Sequence, residues 1–140
     1  MDNCIFCKII SGEIPSSKVY EDDEVLAFLD ITQTTTGHTL LIPKKHVRNV
    51  LEMDEKTAQM TLKMAVPKVA RAVQAATKAK GMNIINNNEE IAGQTVFHAH
   101  VHLVPRFDES DGIKIHYTTH EPDFEALAKL AKEIRKEIQL

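Results

Sequence analysis

Five of the chain's seven histidines fall in two short segments, His38 with His46 and then His98, His100 and His102. In Phe97-His98-Ala99-His100-Val101-His102-Leu103-Val104, imidazole and apolar side chain alternate strictly. Extended backbone sends successive side chains to opposite faces. One face therefore carries three imidazoles and the other Phe97, Ala99, Val101 and Leu103. The apolar face can pack on a helix, which leaves the histidines to line a groove or a partner's surface. Imidazoles about 7 Å apart along a strand repel one another when protonated, a cost that needs compensation. A lone histidine beside apolar residues is ordinary packing; three in alternation mark a site. That site is either a metal centre, since histidines at i and i+2 can share an ion, or a nucleophile, since a neutral imidazole attacks phosphorus. Alternation alone leaves both open.

Cys4-x-x-Cys7 is the second constellation. Two cysteines three residues apart supply half of a structural zinc set, and they are too few for a disulfide framework. A thioredoxin-like redox role is the weaker reading, because no βα unit precedes them. Two free surface thiols are the plain alternative. A reducing cytoplasm is the simplest home, since Met1-Asp2-Asn3 lacks a basic leader start and no apolar run approaches the ~20 residues of a membrane span.

Elements that position these residues can be read from periodicity. Residues 3–10 suggest a short helix ended at Gly12, with Cys4 and Cys7 on one face. Residues 18–20 and 25–30 suggest a hairpin around Glu21-Asp22-Asp23-Glu24, followed by a polar loop over 32–37 and a strand over 38–43. Residues 54–80 read as a helix capped by Asp54, with Met60, Met64 and Val73 on its apolar side. Gly81 would lie just past its end, and Pro67 must kink or divide it. Strands are expected over 82–87 and 96–104, the latter ended by Pro105. From Pro122 the tail carries Phe124, Leu127, Leu130, Ile134 and Ile138 at helical spacing, with proline in the first turn.

At 140 residues, 43% hydrophobic and 26% charged, the chain suits one folded domain, residues 1–140. A net charge of -3 argues against a long polyanionic partner but not against one small phosphate ligand. Hairpin-connected strands plus helices give an α+β class with an antiparallel sheet.

The residues resemble the histidine triad (HIT) family, whose hallmark His-φ-His-φ-His-φ-φ is matched by residues 98–104. Cys4-Ile-Phe-Cys7 through Gly12-Glu-Ile-Pro15 resembles the opening of zinc-containing bacterial members. Ala27-Phe-Leu-Asp30 and Gly37-His38 through Pro43-Lys-Lys-His46 resemble the family's nucleotide-binding block. Asn87 and Gly93-Gln94-Thr95-Val96-Phe97 precede the triad at family spacing, and Val104-Pro105-Arg106 follows it. The resemblance spans residues 4–107. Two positions depart: Glu89 follows Asn87-Asn88 where members often have glycine, and Thr95 stands where many have serine.

The resemblance implies a homodimer with a five-stranded antiparallel sheet and a long helix. It implies transfer or hydrolysis at the α-phosphate of nucleoside phosphoramidates or dinucleotide polyphosphates, on AMP- or GMP-type nucleotides, with no organic cofactor. His100 would be the nucleophile, its other nitrogen pinned by a backbone carbonyl. His102, Gln94 and Thr95 would donate to phosphate oxygens, and His38 would support them. Asp30 would hold the ribose diol, and Asn87 the phosphate region. Cys4, Cys7, His46 and His98 would hold a structural zinc.

Plain alternatives stand beside these roles: Asp30 as a turn cap, Asn87 as a strand-end turn residue, His46 as a solvated loop residue. Two other functions compete, a metal-dependent hydrolase with the three strand histidines as ligands and a non-catalytic nucleotide-binding adaptor. His116 and His120 match no motif and receive no role.

Overall fold

Five short β-branched and aromatic runs pair into one antiparallel sheet in the order β1-β2-β3-β5-β4. The computed structural model describes residues 3–138, so Met1 and Asp2 of the leader reading and the last two residues of the 1–140 domain lie outside the described residues. Helix α1 (Ile5–Ser11) comes first, ended by Gly12 at φ 86. The strands are β1 (Lys18–Glu21), β2 (Val25–Leu29), β3 (Thr39–Pro43), β4 (Gly81–Ile85) and β5 (Val101–Arg106). The hairpin β1–β2 and the pair β2–β3 form as expected.

Both faces of the central strands are covered, which is why β2 and β3 read as nearly continuous apolar runs. On one face Val25, Ala27, Leu41, Val101 and Leu103 meet Ala65, Val69 and Val73 of the long helical segment. On the other, Leu26, Phe28, Leu40 and Ile42 meet Phe6 and Ile9 of α1. Each fully buried Leu or Ile contributes about 1.5–3 kcal/mol. His102 pairs with Leu40, so period 2 puts its imidazole on the α1 side, where Phe6 also meets His98 and His100. Helix α1 thus carries the cysteines to the histidines.

The long helical segment is divided, as Pro67 requires. Asp54 caps α2 (Glu55–Ala58) by accepting from the Thr57 N–H. A π-helical stretch, Gln59–Ala65, follows, and the Val66 N–H reaches back five residues to the Thr61 carbonyl. Helix α3 (Val66–Thr77) then starts with Pro67 in its first turn, where a missing N–H is tolerated. The wider π turns rotate the face, so Ala65, Val69 and Val73 supply the core while Met64 is half exposed. Lys78, not Gly81, ends the segment, in the left-handed conformation at φ 61 with its N–H on the Gln74 carbonyl.

Residues 96–100 do not extend β5, contrary to the periodicity. Their backbone groups bond elsewhere: the Ala99 N–H to the Val47 carbonyl and the His100 carbonyl to the Asn86 carboxamide. Pro105 does not end the strand, because β3 pairs with β5 only from Val101 to Leu103 while β4 continues to Arg106. Beyond Leu103 the β3 side has no ladder that needs an N–H. Helix α4 spans Phe124–Ile138. Pro122 precedes it, and Asp123 accepts from the Ala126 N–H. Its stripe of Phe124, Leu127, Leu130, Ile134 and Ile138 is exposed.

Candidate active site and metal centre

The three triad rings take separate posts. His98 is fully buried and His100 nearly so, rather than lining an open groove. Phe6 packs on both in T-shaped contacts, with ring centroids 5.8 Å from His98 and 5.1 Å from His100. Phe97, placed by alternation on the apolar face, is partly exposed under the Arg48 guanidinium, 4.3 Å away.

His98 turns toward the cysteines. Its Nδ1 lies 3.4 Å from Cys4 Sγ, 3.6 Å from Cys7 Sγ and 3.2 Å from His46 Nδ1. Cys7 Sγ is 3.3 Å from His46 Nδ1, and the Cys7 N–H meets Cys4 Sγ. A tetrahedral zinc with bonds of ~2.0–2.3 Å sets its ligand atoms roughly 3.3–3.8 Å apart, so the donor set fits that ion in type and spacing. The His98 Nε2–H donates to the Pro43 carbonyl at 2.8 Å, which leaves Nδ1 as the lone-pair nitrogen a metal needs. Burial, and then the neighbouring Cys4 side chain, push the Cys7 thiol up to about 11. A bound cation would favour the thiolate at Cys7 over this burial.

His100 belongs to a different group. A carbonyl only accepts, so the 2.7 Å contact of its Nδ1 with the His98 carbonyl puts the proton on Nδ1 and the lone pair on Nε2. Burial holds its pKa below the ordinary histidine value, although the His98 carbonyl and Asp30 both raise it. The ring is a neutral base whose Nε2 has no hydrogen-bond partner among the described residues.

His102 is oriented by a relay. The Thr34 N–H donates to His38 Nδ1 at 3.4 Å, which makes His38 Nε2 the protonated nitrogen. That nitrogen lies 3.0 Å from His102 Nδ1, leaving His102 its Nε2–H as a donor. Burial, and then His100 and His38 close by, lower the His102 pKa to about 4. The His100 and His102 ring centroids are 5.1 Å apart with the rings at 65°.

Asp30 lies beside His38, the residue that orients His102. Its Oδ2 lies 3.8 Å from His38 Nε2, while Oδ1 accepts from the Thr32 N–H and hydroxyl. Burial alone would raise its pKa, but the two Thr32 bonds together with His38 and His102 bring it below the ordinary carboxylate value. Asp30 also lines a hollow of about 450 Å³ with Pro15, Ser16, Ser17, Leu29, Ile31 and Gln33. That volume suits a nucleoside.

The loop before the triad differs from the sequence reading. Gln94 is buried with both carboxamide N–H groups committed, to the Arg48 and Val96 carbonyls, and its Oε1 accepts from the Glu89 N–H and Asn49. It has no N–H left for a phosphate, so its work here is to hold the loop. Asn86, which the reading missed, donates to the His100 carbonyl at 2.9 Å. Nothing in Asn86-Asn87-Asn88 distinguishes one carboxamide from the next. Asn87 lies over Gly93. Thr95 is exposed and lines a second hollow with Cys4, His46 and Phe97, on the cysteine side. His116 and His120 are exposed in the tail. Glu89 takes φ 76, a conformation that costs a residue with a side chain on the order of 1–3 kcal/mol.

Among the described residues, those that could share an ion fall into two sets, Cys4-Cys7-His46-His98 and Asp30-His38-His102, and His100 is in neither. The three strand histidines do not converge as ligands of one catalytic ion. The HIT domain model matches residues 11–109. The chain belongs to the HIT domain family. A HIT relative from Bacillus subtilis strain 168, Protein hit, is 50% identical over 139 residues, 98% of this chain and 95% of that one. Adenosine 5'-monophosphoramidase HNT1 of Saccharomyces cerevisiae is 40% identical over 97% of this chain and 83% of its own. The crystal structure of SMU.412c from Streptococcus mutans UA159 is 65% identical, with a TM-score of 0.94 over 99% of this chain and 87% of that one. With such relatives, this HIT protein is an enzyme, and its five-stranded antiparallel sheet with helices is the HIT fold.

Proposed function

We propose that the enzyme transfers or hydrolyses the nucleotidyl group of purine nucleoside phosphoramidates or dinucleotide polyphosphates through a nucleotidyl-His100 intermediate. The observation that carries this reading is the His100 Nδ1 bond to the His98 carbonyl, which leaves Nε2 unprotonated. That nitrogen attacks the α-phosphorus. A P–N bond forms, the bond to the leaving amine or phosphate breaks, and the leaving group takes up a proton from solvent. His102, with its Nε2–H free, stabilises charge on the phosphoryl oxygens. Water then attacks phosphorus as the P–N bond to His100 breaks, its proton passing to solvent, giving the nucleoside monophosphate and restoring the His100 lone pair. Asp30 accepts from the ribose hydroxyls at the mouth of the hollow.

Cys4, Cys7, His46 and His98 would hold a structural zinc, whose part is to order the segment that carries His100 and not to act on the substrate. The enzyme would work in the cytoplasm as a homodimer. The open edge of β4 with exposed Ile84, and the uncovered stripe of α4, support the pairing. No helix of the described residues is long and apolar enough to cross a membrane.

The test is release of AMP from adenosine phosphoramidate by wild type and His100→Ala at matched circular dichroism. The variant should lose turnover by about three orders of magnitude or more. Near wild-type rates in the variant would remove the covalent mechanism.

A further inference from the structure

Glu89 stands at a position that its backbone marks for glycine. At φ 76 and ψ 157 it occupies a region that a side chain rarely tolerates. Two neighbours hold it there. Arg48 grips both carboxylate oxygens, Nε to Oε2 at 2.7 Å and Nη2 to Oε1 at 2.8 Å, and Asn49 donates to Oε2 at 2.7 Å. Asn49 is fully buried, and Arg48 is braced on the Phe97 ring.

Two chains of bonds lead from this residue toward the nucleophile. The Glu89 N–H donates to Gln94 Oε1, and Gln94 ties the Arg48 carbonyl to the Val96 carbonyl. In the other direction Asn88 accepts from the Val50 N–H and donates to Asn86 Oδ1, and Asn86 holds the His100 carbonyl. Neither chain includes a group to which the proposed mechanism gives a substrate contact. Both end on the segment that sets the ring of His100.

We propose that Glu89, clamped by Arg48 and Asn49 in a glycine-like conformation, is a positioning residue that sets the Asn86–Gln94 loop and through it His100. The inference rests on the nucleotidyl-His100 reading for its effect on rate, though the clamp itself is independent of it. A purely structural ion pair would be replaceable by anything that keeps the chain folded. A clamp that holds a strained backbone behaves differently: glycine, which needs no clamp at this φ, substitutes for it, whereas alanine does not.

The experiment is a cycle of Glu89→Ala, Glu89→Gly, Arg48→Ala and the Arg48→Ala/Glu89→Gly double variant, read as kcat and KM on adenosine phosphoramidate. Glu89→Ala and Arg48→Ala should each lower kcat about tenfold with KM within about twofold. Glu89→Gly should recover kcat to within about threefold of wild type, and adding Arg48→Ala to it should change kcat less than about twofold. Wild-type kcat in Glu89→Ala, glycine no better than alanine, or an Arg48 effect equal in both backgrounds would overturn the proposal. Amide hydrogen exchange at residues 89 and 94 gives a second reading. It should quicken in Glu89→Ala and be restored in Glu89→Gly. This arm needs no substrate, so a wild type inert toward phosphoramidates would count against the nucleotidyl-His100 reading while exchange still decides the clamp. Exchange unchanged across the variants would end it.

Discussion

The backbone carbonyl of His98 accepts from Nδ1 of His100 at 2.7 Å, while the His98 side chain faces Cys4, Cys7 and His46. One residue thus joins the thiol cluster to the proposed nucleophile: its ring belongs to the first and its carbonyl fixes the tautomer of the second. Strict alternation makes this possible, because neighbouring imidazoles on one face can be given different partners.

The pH dependence follows from burial. The His102 pKa is lowered from 6.5 to about 4, by burial first and then by His100 and His38. The fold favours the neutral ring, so as pH falls the unfolded chain takes up the proton first. The stability this ring contributes is complete above 6.5 and is lost as pH drops toward about 4. Profiles of kcat/KM against pH should show the acid limb below 6.5, and the melting temperature should decline over the same interval. A limb at or above 6.5 would contradict the burial of the pair.

Cys4→Ser removes one donor from the thiol cluster. Bound zinc, measured by mass spectrometry of the metal content, should fall and the melting temperature with it. The catalytic rate should drop by no more than the ~10–100-fold of an ordering shell. Unchanged zinc stoichiometry would count against the ligand set.

Asp30→Asn keeps the turn in outline but removes the charge that would face a ribose. KM for a ribonucleoside phosphoramidate should rise about tenfold or more, the value of one charged hydrogen bond. The corresponding 2',3'-dideoxy substrate should show little change. An equal effect on both substrates would return Asp30 to a capping role.

Gly37 sits at φ 93 against the α3–β5 junction, where a Cβ would come within 2.6 Å of Thr77 and 3.3 Å of Pro105. Gly37→Ala should cost about 2 kcal/mol or more in urea unfolding, since both the torsion and the space oppose a side chain. Full stability in that variant would mean that the turn before His38 can shift.

Much of this was legible in the sequence because period-2 and helical patterns report burial directly. The strands over β2 and β3, α1 with its glycine stop, and the division at Pro67 all follow from residue type. What the pattern missed lies where side chains replace the ladder. Residues 96–100 look like strand, yet their partners are Val47 and a carboxamide, Asn86, that nothing in a run of three asparagines singles out. The family resemblance implies a phosphate contact for Gln94. Only coordinates show both its N–H groups already committed. Glu89 was visible as a departure from glycine, but its strain and its grip by Arg48 needed a φ value and a distance.

The most direct measurement is the mass of the protein quenched in alkali within milliseconds of mixing with adenosine phosphoramidate, followed by peptide mapping. One nucleotidyl group should appear on His100 at a rate no slower than turnover, and it should be absent from His100→Ala. Full turnover with no adduct, or an adduct on another residue, would contradict the account.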